Sequence, residues 1–158
     1  MPRTARVTIE NACYHIITRG NQKQLVFINS TDYEVYLSIL KKYKDKHKFR
    51  LFAFCLMPNH IHLIIEVSNP IKLNKIMRGI NLSYTLYFNN KNKKIGHLWQ
   101  DRFKSKVIEK DSYLLECIDY IEGNPVRASL VSYVSQYPWS SYKFRAENNK
   151  LLDNLFSF

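Results

Sequence analysis

Two histidines one residue apart, in Asn59-His-Ile-His-Leu-Ile-Ile-Glu66, are the first residues of this chain whose types and spacing could do chemistry. Side chains of a strand alternate between its faces. His60, His62, Ile64 and Glu66 therefore share one face, and Ile61, Leu63, Ile65 and Val67 share the other. The second face is wholly apolar and has to meet a core, so both imidazoles point the same way from the first, where they could hold one divalent ion. Two ordinary histidines would show the same spacing, so the pair alone leaves both readings open. Cys55 is a further donor, but Met57-Pro58-Asn59 reads as a turn that carries it away from the pair. Glu66 is the nearby carboxylate that a zinc-dependent hydrolase would need.

A second candidate lies near the C-terminus. Asp111 caps a helix over 112–124 that Pro125 stops. Leu114, Leu115, Ile118 and Ile121 form its apolar arc, while Glu116, Tyr120 and Asn124 run down the far side at i, i+4 and i+8. Tyr120 is then either a surface residue or one facing a site. Tyr113, seven residues earlier on nearly the same face, competes with it.

The elements that must position these groups follow in order. Residues 12–18 alternate as a strand that Arg19-Gly20-Asn21 ends. Thr31-Asp-Tyr-Glu34 has capping-box spacing and opens a helix whose Tyr36, Ile39, Leu40 and Tyr43 share a stripe. Residues 51–57 form a second strand, turning at Pro58-Asn59 into the histidine strand. Asn69-Pro70 starts a helix with Leu73, Ile76, Met77, Ile80, Tyr84 and Tyr87 toward the core, running to about Phe88, with a polar loop over 89–96. Residues 98–109 resume as a strand or hairpin carrying Trp99, Arg102, Lys104 and Lys106, the last three at i, i+2 and i+4 along one edge. Strand, helix, strand, strand, helix, strand is the ferredoxin-like split-βαβ order of an α+β domain. Its antiparallel sheet would carry helices on one face and leave the other, with His60 and His62, open. His15 reads as structural, and Arg19 as either a phosphate contact or a solvated cation.

The 158 residues fit one domain, 1–158, around one core. Twenty-four Lys and Arg against thirteen Asp and Glu leave +11, which favours a polyanionic partner. Eleven Tyr and nine Phe accompany that charge. The mixture suits single-stranded nucleic acid, though a generic basic protein with an aromatic core would share it. Cys13, Cys55 and Cys117 form no paired framework, no run reaches transmembrane length, and residues 1–10 lack an apolar signal core. A reduced protein of the cytoplasm is expected.

The segments Tyr14-His-Ile-Ile-Thr-Arg-Gly-Asn21, Phe54-Cys-Leu-Met-Pro-Asn-His-Ile-His-Leu63, Gly96-His-Leu-Trp-Gln-Asp-Arg-Phe-Lys-Ser105, Tyr120-Ile-Glu-Gly-Asn-Pro-Val-Arg-Ala128 and Tyr137-Pro-Trp-Ser-Ser-Tyr142 resemble single-tyrosine HUH transposases of the insertion-sequence-200-like superfamily, in the REP-associated tyrosine transposase branch. That resemblance implies His60 and His62 as ligands of Mg²⁺ or Mn²⁺, Asn124 as a third ligand, and Tyr120, on an additional C-terminal helix, as the catalytic nucleophile. It implies cleavage and rejoining of single-stranded or hairpin DNA through a 5′-phosphotyrosine, by a monomer or homodimer. Arg19, Trp99, Arg102, Lys104, Lys106 and Arg127 are the expected DNA contacts. A non-cleaving regulator that binds repeat sequences is the alternative. It fits the charge equally well but leaves the joint presence of His60, His62, Tyr120 and Asn124 unexplained.

Overall fold

The computed structural model describes residues 11–109 and 112–155. Asp111, the expected helix cap, and the first ten residues lie outside them. Four strands, β1 (Ala12–Arg19), β2 (Arg50–Met57), β3 (His60–Val67) and β4 (Lys104–Ile108), form one sheet in the order β2-β3-β1-β4. Every pairing is antiparallel, which is the ferredoxin-like arrangement expected from the element order.

Helices α1 (Ser30–His47) and α2 (Ile71–Asn92) cover one face. Ile61, Leu63 and Ile65 of β3 pack there with Tyr14 and Ile16 of β1, Tyr36 and Leu40 of α1, and Leu73, Ile76, Ile80 and Tyr84 of α2. The period-two and period-3.6 stripes meet as their spacing requires. Helix α1 is capped by Asn29 and Asp32 rather than by Thr31 and Glu34. Asn29 Oδ1 accepts from the Asp32 amide at 3.2 Å, and Asp32 Oδ2 accepts from the Asn29 amide at 3.3 Å. Asp32 is fully buried and also takes Tyr87 Oη at 2.7 Å and Lys91 Nζ at 2.6 Å from α2. The cap is therefore also a tie between helices, which a solvated Glu34 would not supply. Helix α2 runs four residues past Phe88 to Asn92 before Lys93 turns left-handed at φ 53°.

The other face is only partly open. Helix α3 (Ser112–Glu122) lies across it, and a second apolar cluster joins its Leu114, Ile118 and Ile121 to Cys13, Ala53, Cys55, Ile64 and Ile108 of the sheet. The protein thus has a core on each side of the sheet instead of one. Leu115, placed on the apolar arc by its spacing, is 42% exposed. Helix α3 stops at Glu122, one residue before Gly123, and Pro125 opens the short α4 (Asn124–Arg127) instead of ending α3.

Candidate active site

The site is assembled by register. Along β1 and β3, Arg19 stands opposite His60, Ile17 opposite His62 and His15 opposite Ile64. Residues directly opposite share a face, so His15 and Arg19 join the two histidines on the α3 side. On β4, Lys106 is opposite His15 and Lys104 opposite Ile17. Gly20 closes this end: its amide donates to the Asn59 carbonyl at 2.9 Å. A Cβ there would stand 2.5 Å from the Gln24 carbonyl oxygen and 2.9 Å from Val26 Cγ1. Only glycine lets the chain after Arg19 press against the β2–β3 turn, which holds Arg19 beside His60.

Both histidines have one ring nitrogen engaged. His60 Nδ1 lies 2.8 Å from Asn59 Oδ1. An amide oxygen only accepts, so Nδ1 carries the proton and the lone pair falls on Nε2. His62 Nδ1 lies 2.9 Å from His15 Nε2, with the two rings stacked at 5.2 Å, while the His60 and His62 rings meet edge to face at 5.0 Å. Burial, helped by Arg19, pushes His60 down to about 4. Burial, then His15, His60, Arg19 and Arg127, pushes His62 down to about 3, and burial with Lys106 lowers His15. All three are neutral at pH 7, the form in which imidazole can bind a metal ion.

These shifts carry a stability consequence. Each folded pKa lies below the unfolded value of about 6.5, so below that pH the unfolded chain binds protons that the folded chain refuses, and stability falls with pH. The melting temperature is expected to drop between pH 7 and 5, where carboxylates stay mostly ionised, and to drop less in His62→Leu. Equal pH dependence in parent and variant would refute it.

Helix α3 brings Tyr120 to this face. An open cleft of about 350 Å³ is walled by His15, Lys106 and Ile108 from the sheet and by Tyr113, Glu116, Cys117 and Tyr120 from the helix. Tyr120 is 57% exposed and Tyr113 44%, so both tyrosines separated by spacing reach the same cleft. Tyr120 is distinguished by Arg127, whose guanidinium lies 4.1 Å over its ring and donates to its backbone carbonyl. Arg127 also donates to Asn124 Oδ1 at 2.5 Å, while Asn124 Nδ2 is buried without a partner. Gly123 leaves room for this fold-back, since a Cβ would lie 2.8 Å from Arg127 Nη1.

The end of α3 is tied down by a later segment. Glu122, 5% exposed, accepts from Ser141 Oγ at 2.6 Å and from Arg145 Nη2 at 2.8 Å. Arg145 also donates to the Phe52 carbonyl, and Tyr137 Oη to that of Leu56 at 2.5 Å. The Trp139 carbonyl accepts from the Leu56 amide. Residues 137–145 thus strap α3 to the edge strand β2.

The expected DNA contacts divide into two groups. Arg19, Lys104, Lys106 and Arg127 gather on the histidine side. Arg102 does not continue the β4 row, because β4 begins at Lys104 and Arg102 lies in the preceding bend. With Trp99 it lines a second cleft, of about 1040 Å³, against Asn81 and Arg78 of α2. Trp99 is half-buried and donates to the Asn81 carbonyl at 3.2 Å, so it is part of the core's rim rather than a free stacking ring. Cys55 is not carried away by its turn: the hairpin sets it opposite His62. It is fully buried, and burial pushes its thiol up to about 12, as the nearby Glu122 also does. Glu66 sits two pairs along β3 from His62, opposite Cys13. Among the described residues, no three His, Cys, Asp or Glu side chains form a metal-holding group, so a zinc site of that kind has no framework there.

An antiparallel βαββαβ sheet thus carries two histidines on one face, and the helix bearing Tyr120 lies across that face. A family model, Transposase IS200 like, matches residues 8–124, and the chain belongs to that family. Two of its relatives are described as REP-associated tyrosine transposases. The chain is 29% identical over 127 residues to one assigned in Haemophilus influenzae, covering 71% of this chain and 70% of that one. It is 27% identical over 125 residues to that of Escherichia coli K12, covering 78% and 71%. A solved REP-associated tyrosine transposase bound to a REP hairpin superposes with a TM-score of 0.78 over all of this chain and 95% of that one, at 22% identity. At that identity the likeness establishes the fold. Among the described residues no helix is long and apolar enough to cross a membrane.

Proposed function

We propose that the protein cleaves and rejoins single-stranded DNA, at or beside a hairpin, with Tyr120 as nucleophile and a divalent ion held by His60 and His62. The observation that carries this reading is that Tyr120 faces a cleft walled by His15, whose ring meets His62. Phenol and imidazoles therefore address the same side of one sheet. A hairpin partner is supported by the solved relative bound to one.

The donor set fits the ion. Two neutral imidazoles are fixed in place, and His60 keeps a lone pair on Nε2. Asn124 fits as a third ligand less simply, because its Oδ1 already takes Arg127, which would have to share or yield that oxygen. Bound there, Mg²⁺ or Mn²⁺ supplies charge withdrawal from a non-bridging phosphate oxygen. The chain's own residues do the rest. Tyr120 Oη attacks phosphorus in line and forms the new P–O bond as the P–O3′ bond breaks, the phenol giving up one proton to solvent and the departing 3′-oxygen taking one up. The 5′ phosphate stays on the tyrosine and the released fragment of the same strand ends in a 3′-hydroxyl. Rejoining reverses these steps with a 3′-hydroxyl from another end. Arg127 holds the Tyr120 ring, and Arg19, Lys104 and Lys106 bind the backbone phosphates. Helix α3 lies on its own chain's sheet, which supports a site complete in one copy, and the odd count of three cysteines supports action in the cytoplasm.

A labelled single-stranded oligonucleotide carrying a hairpin and an unpaired flank tests the reading. With Mn²⁺ it should yield a free 3′-hydroxyl fragment and a protein–DNA adduct, and excess chelator should stop both. Cutting that survived the chelator would refute the metal, and tight binding without cutting would favour the non-cleaving regulator. Lys104→Ala or Lys106→Ala should weaken binding to all sequences alike and lower the salt slope of affinity by about 0.7 per phosphate contact on single strands. Lost discrimination between sequences at an unchanged slope would assign these lysines to base readout.

A further inference from the structure

We infer that His15 is a positioning residue for His62, selecting the tautomer in which His62 can bind a metal ion through Nε2. The inference rests on the metal reading above. His15 Nε2 and His62 Nδ1 are 2.9 Å apart, so one proton lies between them and one nitrogen must accept. If His15 donated, His62 would accept at Nδ1 and carry its proton on Nε2, the remaining nitrogen, with no lone pair left for an ion. If His62 donates, its Nε2 is free, and His15 must hold its own proton on Nδ1. Only the second arrangement is compatible with ligation, and it matches His60, whose Nδ1 proton is fixed by Asn59 Oδ1 at 2.8 Å. The two rings would then present the same nitrogen, each set by an acceptor on its other side.

The pairing is built into the sheet. His15 stands opposite Ile64, one face-repeat along β3 from His62, and the diagonal between antiparallel strands lets long side chains meet. His62 is 5% exposed, so water is a poor substitute for the acceptor. Around His15 stand Lys106 across the strand pair and Tyr113, Glu116, Cys117 and Tyr120 from α3. Among the described residues, His15 is the side chain hydrogen-bonded to His62.

Three measurements on DNA-free protein test this. Nitrogen NMR of the metal-free parent should place the His62 proton on Nδ1; a proton on Nε2 overturns the proposal. Mn²⁺ titration followed by EPR should show His15→Leu binding about 10- to 100-fold more weakly than the parent. His15→Gln, whose amide oxygen can accept, should recover most of that loss. Equal affinity in His15→Leu and the parent overturns the role of His15 alone, whereas a parent that takes up no Mn²⁺ overturns the metal reading itself. Pulsed EPR of the loaded parent should count two coordinated imidazole nitrogens. Three would make His15 a ligand and overturn the proposal in the other direction. The NMR result stands on the parent protein, so a His15→Leu chain that fails to fold still leaves the proposal open to refutation.

Discussion

Tyr120→Phe is expected to eliminate the covalent protein–DNA adduct and to lower strand cleavage by at least about 10⁴-fold, the scale of removing an enzymatic nucleophile. One oxygen is lost from a ring that is 57% exposed, so folding and DNA affinity should be unchanged. Arg127 can keep its place over the phenylalanine ring, since its contacts are to the ring face and the backbone carbonyl of residue 120. Tyr113 is the control. It shares the cleft but lies seven residues, roughly 10 Å, back along the helix, so Tyr113→Phe should leave the adduct intact. Mass spectrometry of the trapped complex decides between them: a nucleotide on Tyr113, or an adduct surviving in Tyr120→Phe, would refute the assignment.

His60→Ala and His62→Ala are each expected to reduce metal-dependent cleavage by about 10³-fold or more, because electrostatic stabilisation of a reacting phosphate is worth several kcal/mol. Neither belongs to the apolar side of β3, which packs under α1 and α2, so the sheet should persist. The two variants should differ in stability. His62 is 5% exposed and engaged by His15, and its truncation opens space beneath α3, whereas His60 stands at the strand end by the turn. Near-normal cleavage by either variant would move the metal site elsewhere.

The histidine strand was legible because a period of two, with one side wholly apolar, admits one orientation. Helices α1 and α2 and the strand order were legible for similar reasons. What sequence could not show was determined by register. His15 alternates onto the same face of β1 as Arg19, but its meeting with His62, 47 positions away, depends on how β1 and β3 slide past one another. The landing of α3 on the histidine face was only half visible. Leu114, Ile118 and Ile121 required a partner surface, and Cys55 and Ile64 beside the histidines could have indicated it. The Asn29–Asp32 cap lost to Thr31–Glu34 on pattern, since nothing local reveals that Asp32 also receives Tyr87 and Lys91 from another helix. Nothing local to Glu122 reveals its burial, because its partners, Ser141 and Arg145, lie 19 and 23 positions further on, beyond a proline-containing turn.

The strap over 137–145 has a consequence for the order in which the site comes into being during synthesis. By the time residue 136 has left the ribosome, all four strands exist and the histidines can already occupy the sheet. The last turn of the tyrosine helix still lacks Ser141 and Arg145, which hold Glu122, and Tyr137, which reaches the Leu56 carbonyl. A chain under synthesis therefore carries the residues that set its imidazoles before those that hold the end of the Tyr120 helix.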